Sequence, residues 1–189
     1  MRLLPAFLCS LASSALAQKA AVPYLIPDPV EVRAEPGTLD LGCPWQVEVS
    51  QSASKELFDL IREELATLQL PGTKDCLVPM RIQFSLIQPD TLLPAEWHTV
   101  QVSPNGLSVT APSEEGLYRG SRTLVQLLEQ GRITGSLPCL TITDWPRFGW
   151  RGMHLDACRH FWSVEFTKKY IDLLARYKMN RFHWHLTED

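Results

Sequence analysis

Apolar positions recur along the chain with two periods, and the order in which those periods alternate predicts two architectures in series. Residues 45–49 alternate as Trp45-Gln46-Val47-Glu48-Val49, the pattern of a half-buried strand. Leu57, Leu60, Ile61, Leu65 and Leu68 then return at helical spacing until Pro71-Gly72 ends the run. Residues 80–84 alternate again, and segments 99–103 and 107–110 flank Pro104-Asn105-Gly106, whose Asn-Gly pair suits the positive φ of a tight hairpin. These three segments are expected to be antiparallel strands. A second helix is expected over about 114–130, with Leu117, Ser121, Leu124, Val125 and Leu128 on one face, acidic residues in its first turn and Gly131 as its stop. Residues 18–37, with Pro23, Pro27, Pro29 and Pro36-Gly37, read as an extended lead-in outside any element. Residues 38–143 thus form a small α+β domain.

The texture changes over 144–189, where hairpins give way to strand, helix and strand. Residues 150–157 read as a strand ending in Asp156. A helix over about 164–178 should bury Phe166, Tyr170, Leu173, Leu174 and Tyr177, and a second strand over 181–187 leads into Glu188-Asp189. Such a unit is expected to pair its strands in parallel by a right-handed crossover. One unit cannot close a sheet or cover its own faces, so the expectation is the truncated start of a (β/α)8 TIM barrel.

Composition narrows the class of function. Of 189 residues, 18 Lys+Arg face 21 Asp+Glu, leaving no basic surplus to neutralise phosphates, so nucleic acid is not expected as a partner. The hydrophobic share of 45% is that of a globule, which excludes a disordered, collagenous or coiled-coil chain. After the N-terminus no apolar run approaches the roughly 20 residues of a membrane span. The first 17 residues, with Arg2, a short apolar middle and Ala15-x-Ala17, read as a signal peptide cleaved after Ala17, which implies a secreted or periplasmic product. Cys43, Cys76, Cys139 and Cys158 would remain, with three possible pairings in an oxidising compartment. Neither Asn105 nor Asn180 opens an Asn-x-Ser/Thr acceptor, which favours a bacterial source.

Parallel α/β folds bind ligands beyond the carboxyl ends of their strands, and both strand ends here carry chemistry. Asp156 is followed by Arg159-His160, and the second strand by Glu188-Asp189. A guanidinium beside Phe161 and Trp162 can donate two bonds to neighbouring hydroxyls while a ring stacks on a sugar face. His183 and His185 alternate on one strand, a spacing that metal-dependent barrel hydrolases also use. Those sites open the first strand of the barrel and need further ligands, so histidines filling the barrel interior are the favoured reading.

The run from Asp144 through Trp145-Pro146-Arg147-Phe148, Asp156, Arg159-His160 and Trp162, followed by Lys178-Met-Asn-Arg-Phe-His-Trp-His-Leu-Thr-Glu188-Asp189, resembles the opening of the catalytic barrel in family 20 glycoside hydrolases, the β-N-acetylhexosaminidases. Upstream, Leu25-Ile26-Pro27-Asp28-Pro29 and the segment from Gly116-Leu117-Tyr118-Arg119-Gly120 resemble the small domain that precedes that barrel. The resemblance implies a retaining exo-hydrolase acting on β-linked N-acetylhexosamine glycans, with no metal or organic cofactor. In that family a glutamic acid protonates the leaving oxygen, the substrate's own acetamido oxygen attacks the anomeric carbon, and an aspartate orients the acetamido group. That Asp-Glu pair is expected on a later strand, beyond Asp189.

By the same resemblance Arg159 matches the arginine that grips sugar hydroxyls in the cleavage subsite. Glu188 stands where many members carry an aspartate that acts through a later histidine on the catalytic glutamate, and Asp189 matches the second acid of that motif. Asp156 and His160 are read as supports for the Arg159 loop or as direct sugar contacts. A non-catalytic glycan-binding product and a metal-dependent hydrolase remain the alternatives.

Overall fold

The computed structural model describes residues 23–50, 53–70, 72, 75–76, 78–88 and 92–187. The segment read as a signal peptide and the Glu188-Asp189 pair lie outside them. Among the described residues eleven elements follow in order: β1 (Glu31–Asp40), β2 (Trp45–Val49), α1 (Lys55–Thr67), β3 (Met80–Leu86), β4 (His98–Ser103), β5 (Gly106–Ala111), α2 (Glu114–Thr134), β6 (Ser136–Asp144), β7 (Gly152–Asp156), α3 (Val164–Arg176) and β8 (Arg181–His185).

The first six strands form one sheet in the order β1-β6-β4-β5-β3-β2. Alternation decides which side is buried: Val100, Val102, Leu107, Val109, Leu140 and Ile142 are at most 2% exposed and meet α2. The Ser113 hydroxyl accepts from the Gly116 amide at the start of α2, and Glu114 and Glu115 complement the helix dipole there. Helix α1 lies beside α2 and contributes Leu57, Ile61 and Leu65 to the same core. A disulfide joins Cys43 to Cys76, while Cys139 is buried as a thiol and Cys158 is a partly exposed one.

Four sequence expectations change here. Segment 80–84 is not antiparallel to its neighbours: β3 runs parallel to both β2 and β5, and only β4 and β5 form the Asn-Gly hairpin. The cause is topological, because a helix between β2 and β3 returns the chain to the same end of the sheet, and residues 87–97 separate β3 from β4. The lead-in is not outside the fold, since 31–40 pair with β6 as an edge strand. Its register shifts between Ala34 and Thr38, where Pro36 lacks a ladder donor and Gly37 takes φ 108°. Helix α2 passes through Gly131 and ends at Gly135, which adopts the left-handed conformation at φ 77°. Gly131 serves close packing instead: a Cβ there would lie 2.7 Å from side-chain carbons of Leu137 and Leu41. Leu60 stays on the exposed side of α1, at the margin of its apolar stripe.

Strands β7 and β8 form a separate two-stranded parallel sheet, in register from Gly152 opposite Arg181 to Asp156 opposite His185. Helix α3 covers one face, with Tyr170 5.7 Å from Phe182 between ring centres. Of α3 only Thr167 is fully buried, and Phe166 and Leu173 remain about 40% exposed. The expected burial of Phe166, Tyr170, Leu173, Leu174 and Tyr177 is not reached, because two strands present too narrow a surface for the helix's apolar stripe. The molecule is therefore a small α+β domain followed by the opening of a TIM barrel.

Candidate functional site at the ends of the barrel strands

The parallel register places His154, Asp156, His183 and His185 on one face of the β7/β8 sheet, opposite the face that α3 covers. Barrel helices lie outside, so this polar face is the interior one. His154 and His183 rings are 4.7 Å apart and His154 and His185 5.9 Å, tilted against one another across the two strands. Among the described residues no three His, Cys, Asp or Glu side chains converge as metal ligands would.

Asp156 organises the loop beyond β7. Its Oδ1 accepts from the amides of Cys158 and Arg159, each at 3.1 Å, and lies 3.3 Å from Nδ1 of His185 across the strand pair. Its carbonyl accepts from the indole of Trp162 at 2.8 Å. The amide bond from Arg159 above all, with the Cys158 amide and the Arg159 and His185 charges adding to it, holds the Asp156 carboxyl below its ordinary pKa. An ionised acceptor therefore folds residues 157–162 into a turn, and Ser163 caps α3 by accepting from Phe166. Trp162 stacks on Phe166 at 4.4 Å.

Arg159 is carried on this turn with Nη1 3.5 Å from Asp156 Oδ2 and a side chain 66% exposed. The guanidinium is thus held over the strand end yet presented outward, where it can donate to hydroxyls. His160 and Phe161 are exposed on the same loop. The structure brings together Asp156, Arg159 and His185 and leaves His160 outside that group. Glu188 and Asp189, the other residues expected at this end, lie outside the described residues.

A cavity of about 640 Å³ lies elsewhere, between the small domain and the amino ends of β7 and β8, lined among others by Pro27, Trp145, Phe148, Trp150, Asp144 and Lys178. It contains none of Asp156, Arg159 or His185. Since barrel chemistry sits at the carboxyl ends of strands, the candidate site is the Asp156–Arg159 turn rather than this cavity.

Sequence reasoning missed a group of charged residues that line that cavity. Lys178 Nζ donates to Asp144 Oδ2 at 2.6 Å and lies 3.3 Å from His98 Nε2, with all three side chains at most 9% exposed. Glu96 Oε2 accepts from Arg119 Nε at 2.7 Å and from Arg151. His98 Nδ1 lies 2.9 Å from the Glu96 carbonyl, which assigns the ring proton to Nδ1 and leaves Nε2 to accept from Lys178. Burial, followed by the Lys178 charge, lowers the His98 pKa to about 4, and burial also lowers that of Lys178. The sequence signal was faint: Arg119 belongs to the Gly116–Gly120 segment, but its partner Glu96 is 23 residues away.

A polar strand-end turn carrying an arginine thus stands on the opening β-α-β unit of a TIM barrel behind a small α+β domain, the architecture of a two-domain barrel protein. The family comparisons agree. Residues 22–145 match the model for "Glycosyl hydrolase family 20, domain 2" and residues 148–189 that for "Glycosyl hydrolase family 20, catalytic domain". The chain belongs to glycosyl hydrolase family 20. It is 44% identical over 109 residues to a beta-hexosaminidase of Porphyromonas gingivalis, covering 53% of this chain and 14% of that protein. It is 31% identical over 173 residues to a beta-hexosaminidase of Vibrio furnissii, covering 92% of this chain and 28% of that one. The solved GH20 exo beta-N-acetylglucosaminidase from Vibrio harveyi, in complex with N-acetylglucosamine, superposes with a TM-score of 0.70 at 30% identity over 90% of this chain and 27% of its own. The chain thus spans between a seventh and about 28% of the length of these relatives.

Proposed function

We propose that these residues supply the small domain and the first barrel strands of an exported, retaining exo-β-N-acetylhexosaminidase that removes terminal N-acetylglucosamine or N-acetylgalactosamine from β-linked glycans. The observation that carries the reading is the Asp156-ordered turn, which presents Arg159 at the carboxyl end of β7 within the segment matching the family's catalytic domain. The Cys43–Cys76 disulfide supports an oxidising compartment.

In this reading Arg159 binds the hydroxyls of the sugar in the cleavage subsite, and Asp156 and His185 keep the turn in place. Glu188 acts through a later histidine on the charge of the catalytic glutamate. The acid and the acetamido-orienting aspartate come from later barrel strands, and the acetamido oxygen of the substrate forms the new bond to the anomeric carbon as the leaving oxygen takes the proton. No cofactor enters the chemistry.

The test compares an aryl N-acetyl-β-glucosaminide with the aryl β-glucoside lacking the acetamido group. A polypeptide extending these residues through a complete barrel should hydrolyse the first and spare the second, with the β-anomer of the sugar released first. The 189-residue polypeptide should hydrolyse neither; its turnover, after rigorous purification, would overturn the assignment of roles.

A further inference from the structure

The two barrel strands share a feature that local folding does not require. Each is preceded by a cation whose head group is buried against a carboxylate of the small domain. Arg151 stands immediately before β7 and donates to Glu96, which also binds Arg119 of α2. Lys178 stands between α3 and β8 and donates to Asp144, the last residue of β6, beside His98 at the start of β4.

The backbone at Lys178 makes the choice of residue informative. Its amide donates to Ala175 and that of Met179 to Leu174, the paired bonds of a helix end whose next residue is left-handed, and Lys178 has φ 60°. Glycine suits that position best, because an L side chain there crowds the neighbouring carbonyl. A lysine is therefore explained by its side chain, which crosses to the other domain and is buried there. The two cations are also tied to each other: Arg151 Nε donates to the Lys178 carbonyl at 2.8 Å, the Arg151 amide to Asn180 Oδ1 at 3.0 Å, and the Asn180 amide to the Arg151 carbonyl at 2.9 Å. Both strands thus start from one block seated on Glu96 and Asp144.

We propose that Lys178 and Arg151 are positioning residues, through which the small domain sets the axial placement of β7 and β8 and hence of the groups at their far ends, Arg159 beyond one and His185 at the end of the other. A strand is stiff along its axis, so displacement at its amino end is carried to its carboxyl end. The claim rests on the functional reading above. The groups facing the Lys178 ammonium are Asp144 from β6, His98 from β4, Arg119 from α2 and Glu96 from the loop before β4. No remote substrate contact is involved, so the effect belongs to geometry rather than affinity.

The experiment uses Lys178→Gly, which keeps the left-handed cap and removes the ammonium, in the complete-barrel polypeptide. It is compared with Asp144→Asn and with the double variant. The expected result is a kcat lowered by about tenfold with KM within about twofold, and a double variant no worse than the worse single one. An unchanged kcat, a change confined to KM, losses that multiply in the double variant, or a Lys178→Gly protein that does not fold would each overturn the proposal. If the unsubstituted polypeptide hydrolyses no N-acetyl-β-glucosaminide, the functional reading fails on its own. The placement claim is then judged by amide exchange: Lys178→Gly should speed exchange at least tenfold in 152–156 and 181–185 while sparing 106–111, and unaltered exchange would refute it.

Discussion

His98 makes the small domain acid-sensitive in a window set by its own surroundings. The ring is 1% exposed at the head of β4, donates to the Glu96 carbonyl and accepts from an ammonium, so a second proton would be buried against a positive charge, which Asp144 Oδ2 at 3.7 Å and Thr123 Oγ1 at 3.4 Å offset only in part. Its folded pKa of about 4 lies below the unfolded value of 6.5. The unfolded chain therefore binds the proton first as pH falls, and the contribution to stability, complete above 6.5, is lost progressively down to about 4. Over the whole window that amounts to roughly 3 kcal/mol, and between pH 8 and pH 5 to about 2 kcal/mol. Urea unfolding followed by far-UV circular dichroism should show the midpoint falling by roughly 1 M over that interval. In His98→Gln the amide still offers an N–H and a carbonyl oxygen but does not titrate, so most of the difference between pH 8 and pH 5 should vanish. An equal pH dependence in parent and variant would refute the reasoning.

Two further outcomes follow from the same coordinates. Reducing Cys43–Cys76, or replacing both with serine, releases a closure of 33 residues and should cost about 3–4 kcal/mol in the chain-entropy treatment, read as a lowered urea midpoint that reductant reproduces in the parent but not in the double variant. Chymotrypsin should cut the 189-residue polypeptide first beside Phe148 or Phe161, which are 72% and 91% exposed, and leave the six-stranded sheet intact; a protected core that includes 146–187 would contradict this.

Elements whose signal is local were legible in the sequence. The alternation at 45–49 and 80–84, the Asn-Gly hairpin and the stripes of α1 and α2 all reflect one buried face and one exposed face, which residue order records directly. Strand direction is not recorded there, so β3 could be found without its parallel pairing being known. Edge strand β1 was hidden because Pro36-Gly37 reads as a breaker, whereas the fold uses the pair as an irregularity on an edge that needs no further donor. The strand-end chemistry was legible in part: Asp156 and Arg159 stand where the β-α-β pattern places them, whereas the contact with His185, read from sequence as a residue of the barrel interior, depends on the strand register. The Glu96, His98, Asp144, Arg151 and Lys178 group was not, because each is a lone polar residue separated from its partners by the topology. Its local traces were that Asp144 and Lys178 open the two runs that carry the family resemblance and that Arg119 lies in the upstream one.

Arg159 offers the most direct test of the account, in the complete-barrel polypeptide with kcat/KM for an aryl N-acetyl-β-glucosaminide and melting temperature measured on the same variants. Arg159→Ala removes charge-assisted bonds to sugar hydroxyls and should lower kcat/KM by roughly 30- to 1000-fold, about 2–4 kcal/mol, at an unchanged melting temperature. Arg159→Lys should recover little, since an ammonium cannot reproduce the planar fork. Unchanged kcat/KM in a folded Arg159→Ala protein, or activity lost only in step with melting temperature in both variants, would contradict the placement of Arg159 in the sugar site.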